Sequence, residues 1–291
     1  MKKILIIVMI LLCLSSPLYA MSNLLVTLGE ATNSNKYYKS KVLSYFQSKI
    51  NKNIKDAKIC VITASEVNEV SKNITGKIYA PSQIYSCALV DLSYNQGIKV
   101  EVDKSKINIV TPEMYANALE STGIDKGYVV VTSPVPATGE SALAGVLKSY
   151  EVAVGVPIPE PAKKLSVEEL NLQNKISNET NQSGEKIAAL FKEVKNQVRE
   201  QNIQNPEEVK TIIRNVANNM GINISQSQVN NMSNLITESQ KLQNTLQNFK
   251  QKLNEIAGTQ GSGILDQIYK LLQEFVNIIQ NIFNSLQNMG R

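Results

Sequence analysis

Four stretches of this 291-residue chain repeat one local plan, and that plan limits the fold more than any other feature. LLVTLGEA, ICVITASE, INIVTPEM and YVVVTSPV each run from aliphatic and β-branched residues into a threonine and then a turn. The threonines are Thr27, Thr63, Thr111 and Thr132. A helix-like segment follows at least three of them. Thr27 with Glu30, and Thr63 with Glu66, fit a capping box, in which the hydroxyl accepts from a helix amide and the carboxylate reaches back. Thr111-Pro112-Glu113 fits another helix start, with proline at the first position and an acid in the first turn. Gly123 suits the stop of that helix.

Strand, cap and helix in repetition predict a layered α/β or α+β domain. It is not purely parallel, because IYSCALVDLS and GIKVEV are joined by Tyr94-Asn95-Gln96-Gly97, which reads as a hairpin. Ile98, Val100 and Val102 alternate with Lys99 and Glu101, so that strand has one wet face. A mixed sheet with flanking helices is the expected fold.

Composition changes at VPIPEPAKKL. Pro157, Pro159 and Pro161 alternate there, which favours a stiff connector. Nearly all later residues read as helix, and most tyrosines lie earlier. The expected division is a leader at 1–20, an α/β domain at 21–155, a Pro-rich linker at 156–165 and an all-α helical domain at 166–291. Ser166 with Glu169 reads as a capping box, and Asn205-Pro206 as a helix start with Gly221 as its stop. Ile187, Leu190, Phe191, Val194 and Val198 form one apolar stripe. Ser225 with Gln228 opens a long helix whose apolar series runs from Met232 to Ile256. A last helix carries Leu265, Ile268, Leu272, Phe275, Ile279, Ile282, Leu286 and Met289 in three–four, coiled-coil spacing. Folded back across Gly258–Gly263, it would complete a long helical hairpin. Bundle core, self-association and membrane-surface binding are its three readings. The third is weakened by a polar face of Gln and Asn rather than Lys and Arg.

The opening MKKILIIVMILLCLSSPLYA reads as a secretory signal peptide cut near Ala20. Leu12 stands where a lipoprotein cleavage motif at Cys13 needs a small residue. No later segment is long and apolar enough to span a bilayer, so the mature chain is expected in the envelope or outside the cell. Removing Lys2 and Lys3 takes the formal net charge from +5 to +3, too weak and too evenly spread for a nucleic-acid reader. Histidine is absent, which removes Ser-His-Asp and Cys-His pairs and imidazole metal ligands. No metal or cofactor is expected. Cys60 and Cys87 lie in strand-like runs. They could bridge if their strands are neighbours, or be two small buried thiols.

If the Thr-ended strands are mostly parallel, their carboxyl ends share an edge, the usual ligand position in open α/β sheets. Thr63, Ser65, Thr111, Thr132, Ser133, Thr138 and Gly139 would line it. The plainer alternative is that each threonine caps its own helix. In TSPVPATGESAL, Pro134 and Pro136 stiffen the corner, and Thr138 is expected to cap the helix that follows. Glu66, Glu113 and Glu140 near that edge, with Asp91 and Glu101 on other strands, leave open a hydrolase of an envelope polymer working through two carboxylates. Either cysteine as nucleophile would lack an imidazole partner.

SCALVDLSYNQGIKVEV, INIVTPEMYANALESTGI and VVVTSPVPATGESALAGVLKSYE together resemble the YpuA-like family of exported bacterial proteins. TPEMYANAL is the most specific part, and the resemblance covers most of the chain after the leader. It implies an envelope or extracellular location and a helical tail. It supplies no activity, substrate or catalytic residue. The expected role is therefore a non-catalytic exported protein that binds an unidentified partner or ligand through its α/β domain and packs or assembles through its helices.

Overall fold

A computed structural model describes residues 23–257. The expected leader, with its expected cleavage site and Cys13, lies outside the described residues, as does the last apolar series from Leu265.

Five strands form one mixed sheet. They are β1 (Leu24–Gly29), β2 (Lys58–Ile62), β3 (Cys87–Asp91), β4 (Ile98–Val102) and β5 (Gly127–Thr132). Their order is β2-β1-β3-β5-β4. β1 pairs parallel with β2, and β4 parallel with β5; β3 runs antiparallel between β1 and β5. The expected mixed sheet is present, but the hairpin at Tyr94–Gly97 is not. β5 inserts between β3 and β4. The burial pattern gives the reason: every residue of β5 except Tyr128 is buried, whereas β4 has the wet residues Lys99 and Glu101. A strand buried on both faces belongs in the middle, and a half-wet one belongs at an edge.

Alternation divides the sheet's side chains between two cores. Leu25, Ile62, Val90, Val129 and Val131 point to one face and pack under α5 (Glu140–Val154). Leu24, Val26, Leu28, Leu89 and Val130 point to the other and pack against Val42 and Phe46 of α2 (Lys36–Gln47). The short α1 (Glu30–Ser34) precedes α2, while α3 (Ala64–Thr75) and α4 (Pro112–Glu120) follow β2 and β4.

The helical part comprises α6 (Glu160–Thr180), α7 (Gly184–Glu200), α8 (Pro206–Asn219), α9 (Gln226–Leu242) and α10 (Gln247–Ile256). Stripes of α6 to α9, including Ile176, Phe191, Ile213 and Met232, make a third core. The connector is shorter than its prolines implied. Helix α6 begins at Glu160 with Pro161 in its first turn, where proline's missing N–H costs nothing. Ser166 is consequently mid-helix rather than a cap, and its hydroxyl donates to Lys163 O. α6 is apolar on two sides. Ala162 and Leu170 face the sheet's core, and Leu172 and Ile176 face the helical core.

The single long helix expected after Ser225 is broken by a turn at 243–246. Asn244 and Thr245 are weak helix formers, and the break re-aims the stripe. Met232, Leu235 and Ile236 stay in the helical core, but Leu246, Phe249, Leu253 and Ile256 return to the core beneath the sheet.

Several caps stand where the sequence placed them. Thr63 and Glu66 form a full capping box on α3, Thr111 accepts from Met114 N, Asn205 caps α8, and Ser225 with Gln228 caps α9. Two do not. Thr27 lies inside β1, 2.5 Å from Ser149 Oγ of α5, and Gly29 precedes α1 without a side-chain cap. Gly139, not Thr138, is the N-cap of α5, in the left-handed region at φ 94°. A Cβ there would stand 2.6 Å from Ile107 Cγ2 and 2.8 Å from the Tyr115 hydroxyl, so glycine is required twice over.

Candidate functional site

β1, β2, β4 and β5 run in one direction, so their carboxyl ends do share an edge. Of the four threonines, two stand on it. Thr63 follows β2, and Thr132 ends β5. β1 and β3 lie between those strands, a separation of about 14 Å at ordinary strand spacing. Thr111 ends no strand, because residues 107–110 contribute only an isolated bridge from Ile107 to Ala137.

Three of the hydroxyls expected to line that edge, those of Thr63, Thr132 and Thr111, are committed to the fold. Thr63 donates to Glu66 Oε2 at 2.8 Å, and Thr132 to Asp103 Oδ2 at 2.7 Å. Thr111 caps α4, and Thr138 makes a long contact, 3.5 Å, to Glu140 Oε2. Ser133 is buried, and its hydroxyl has no hydrogen-bond partner among the described residues. Ser65 is exposed. Gly139 contributes its carbonyl, which accepts from Tyr115. The segment 106–110 is tied to Ala137 and Thr138 by backbone hydrogen bonds, so Thr111, Thr138 and Gly139 are brought together as one stiffened corner. Thr111 also lines a cleft of about 420 Å³ shared with Lys104, Asn174 and Gly184.

Four of the five candidate acids are individually neutralised. Glu66 pairs with Lys148 at 2.5 Å, Glu140 with Lys77 at 2.8 Å, Asp91 with Lys52 at 2.7 Å, and Glu101 with both Lys49 and Lys99. Glu113 is exposed. Asp91 stands opposite Leu24 and Tyr128, at the far end of the sheet from Thr132. The cysteines are both free thiols. β1 separates their strands. Cys60 pairs across from Thr27, whereas Cys87 joins the opposite face with Leu89, so the bridge is geometrically barred. Burial pushes the Cys87 thiol up to about 11, away from the reactive thiolate.

The polar group that the sequence did not flag lies between the sheet unit and the helices. Glu169 of α6 is fully buried. Its carboxylate accepts from Lys195 Nζ of α7 at 2.8 Å and from the Ser121 hydroxyl after α4. Lys195 also donates to Asn117 O at 2.9 Å. The Asn117 amide donates to Gln173 Oε1 at 2.9 Å and to Ala188 O at 2.8 Å. One network thus pins α4 to both α6 and α7. A signal existed, since Glu169 sits four residues after Leu165 and three before Leu172, on a buried stripe. Its apparent pairing with Ser166 as a cap concealed it.

Ser121 and Lys195 also line the wall of a larger cleft, about 630 Å³, between the corner after α4, helix α7 and the α9–α10 turn. That volume is in the range of small-molecule sites. Arg199, Asn202, Gln243, Asn244 and Lys250 line it too. Arg199 donates to Asn196 Oδ1, and Lys250 to Gln243 Oε1 at 2.6 Å. Both partners are neutral amides. Gly123 makes room for the Lys250 stem, because a Cβ there would lie 2.7 Å from Lys250 Cε and its φ is 79°.

A family model described as a protein of unknown function, DUF1002, matches residues 28–256. That span includes β2 to β5 and the end of β1, the TPEMYANAL motif and all ten helices named above. The chain belongs to the DUF1002 family. It is also similar to YpuA of Bacillus subtilis (strain 168), an uncharacterized protein, at 26% identity over 237 residues. The alignment covers 76% of this chain and 80% of that one. No solved structure matches the chain. Within this DUF1002 chain, TPEMYANAL acquires a physical meaning: Thr111 and Pro112 start α4, Met114 and Tyr115 fill the core, and Asn117 ties it to the helices.

Proposed function

We propose that the chain is an exported, envelope-associated, non-catalytic protein that holds a ligand or partner in the cleft between its sheet unit and its helices. The observation that carries this reading is the cleft itself, about 630 Å³, whose polar lining combines amides, the acids Glu120 and Asp125, and Arg199 and Lys250, whose hydrogen bonds go to neutral groups. Export is supported by Lys2 and Lys3, the apolar run Ile4 to Leu14, and the small Ala20. The non-catalytic reading is supported by acids already paired with lysines and by thiols raised by burial. Among the described residues no helix is long and apolar enough to cross a membrane.

The test uses the chain from Met21 onward and its Asn244→Trp variant, which places a large ring at the exposed cleft wall. Wild-type protein is expected to be retained on envelope fractions and the variant to be released at the same melting temperature. Equal retention of the two sinks the cleft reading.

A second reading concerns the apolar series Leu265, Ile268, Leu272, Phe275, Ile279, Ile282 and Leu286. Its spacing supports self-association. Among the described residues, the large apolar side chains left exposed are Tyr37, Ile59, Ile78 and Ile109, from four separate segments. They offer such a series little to cover it. Deleting Ile264 to Arg291 is expected to lower the mass in solution to that of a monomer. A monomeric mass before deletion removes the idea.

A further inference from the structure

The whole-chain balance reads as an even spread, but the formal charge of +5 is concentrated in one segment. Residues 36–58 hold seven lysines, at 36, 39, 41, 49, 52, 55 and 58, against one acid, Asp56. That segment alone is +6, so the remainder of the chain is −1. The segment comprises α2, the loop after it and Lys58 at the start of β2, and α2 with that loop forms the outer layer on one face of the sheet. α2 contains no acidic residue and turns Val42 and Phe46 inward. Lys36, Lys41, Lys52 and Lys55 are exposed.

Where these ammonium groups go decides how much charge is left over. Lys49 and Lys52 are matched by Glu101 and Asp91. Lys39 donates to Asn33 Oδ1 and Lys41 to Pro134 O, both neutral acceptors. Lys36, Lys39, Lys41 and Lys55 form no salt bridge among the described residues. Four uncompensated positive charges on one helix and its following loop raise the local potential over a length of about 18 Å along α2 alone.

From this concentration we infer that the α2 face is a docking surface for a linear phosphate-bearing polymer. The chemistry selects that occupant in two ways. The face has lysines and no arginine, so it offers mobile point charges suited to successive phosphates rather than a fork shaped for one carboxylate. Its apolar residues are spent on the sheet, so α2 retains no apolar stripe to insert into a bilayer. Tyr37, exposed beside Lys36, is the one large apolar side chain left on this helix surface. The surface is separate from the cleft, whose cations come from α7 and α10, so the two ideas stand or fall independently.

The test uses the chain from Met21 onward, long-chain inorganic polyphosphate as probe, and vesicles of phosphatidylglycerol with phosphatidylcholine as the competing surface. Wild-type protein is expected to bind polyphosphate with an affinity that falls steadily as salt is raised. The quadruple variant Lys36→Gln, Lys39→Gln, Lys41→Gln, Lys55→Gln should lose about tenfold or more of that affinity and show a flatter salt dependence. Because these side chains lie outside the core, its melting temperature should match the wild type. Asn244→Trp should bind polyphosphate unchanged. Equal binding by the quadruple variant, binding that ignores salt, or binding to vesicles without binding to polyphosphate would each overturn the inference.

Discussion

Behind one face of the sheet, α5 is itself covered by α6 and α10, so Leu25, Val90 and Val131 sit under two layers of helix. Behind the other face, Val26, Leu89 and Val130 have α2 and its flanking loop. The doubly covered face excludes water deeply enough that its polar groups must be fully matched, and the Glu169–Lys195–Asn117 network does this. The singly covered face keeps its polar groups at the surface, where unpaired charge costs little and stays available. Depth of cover, more than composition, thus separates the part of the sheet that binds the helices from the part that faces solvent.

Four measurements would break or sharpen this contrast. The largest effect is expected from Lys195→Ala, which strands the fully buried Glu169. Denaturant unfolding should report a loss of about 3–5 kcal/mol, most of it recovered when Glu169→Leu is combined with Lys195→Met. A loss as small as that of a surface pair would mean the network is wetter than its burial implies. Phe46→Ala comes next, at about 3 kcal/mol. Hydrogen exchange should quicken along α2 while α6 and α7 stay protected, and uniform quickening would erase the distinction between the faces. Gly139→Ala should cost about 1–3 kcal/mol, through its positive φ and the contacts with Ile107 and Tyr115.

The smallest effect is the pH dependence from Glu66 and Glu101. Burial alone would raise both carboxyls. Lys148 with Thr63 on the first, and Lys99, Tyr128 and Lys49 on the second, hold them below the usual range. Their folded values are therefore lower than the unfolded one of about 4.3, so their stabilisation is complete above that pH and fades as pH falls through the folded values. Melting temperatures taken from pH 7 down to pH 3 should show a decline that Glu66→Gln makes shallower.

Much of the architecture was legible because local rules and tertiary structure agree. The capping boxes at Thr63 and Ser225, the start at Pro112 and the half-wet strand at 98–102 stand as their patterns imply. Where reading failed, a long-range preference overrode a local one. Tyr94–Gly97 has turn chemistry, yet the apolar Val129–Val131 claimed the central position that a hairpin would have denied it. Ser166 and Glu169 have cap spacing, yet Pro161 had already begun the helix, and Glu169 found a lysine on another element. The candidate site was read least well. The threonines were visible, but the cleft is assembled from α4, α7, α9 and α10, and no local pattern links residues so far apart. The basic face was present in plain sequence, and only a whole-chain average hid it.

The return of α10 beneath the sheet has a temporal side. Leu246, Phe249, Leu253 and Ile256 complete a hydrophobic interior whose first member, Leu25, emerges from the ribosome more than two hundred residues earlier. Until those four arrive, the nascent chain keeps an unsealed seam beside α5. A polypeptide built this way delays its own closure until α10 has been made.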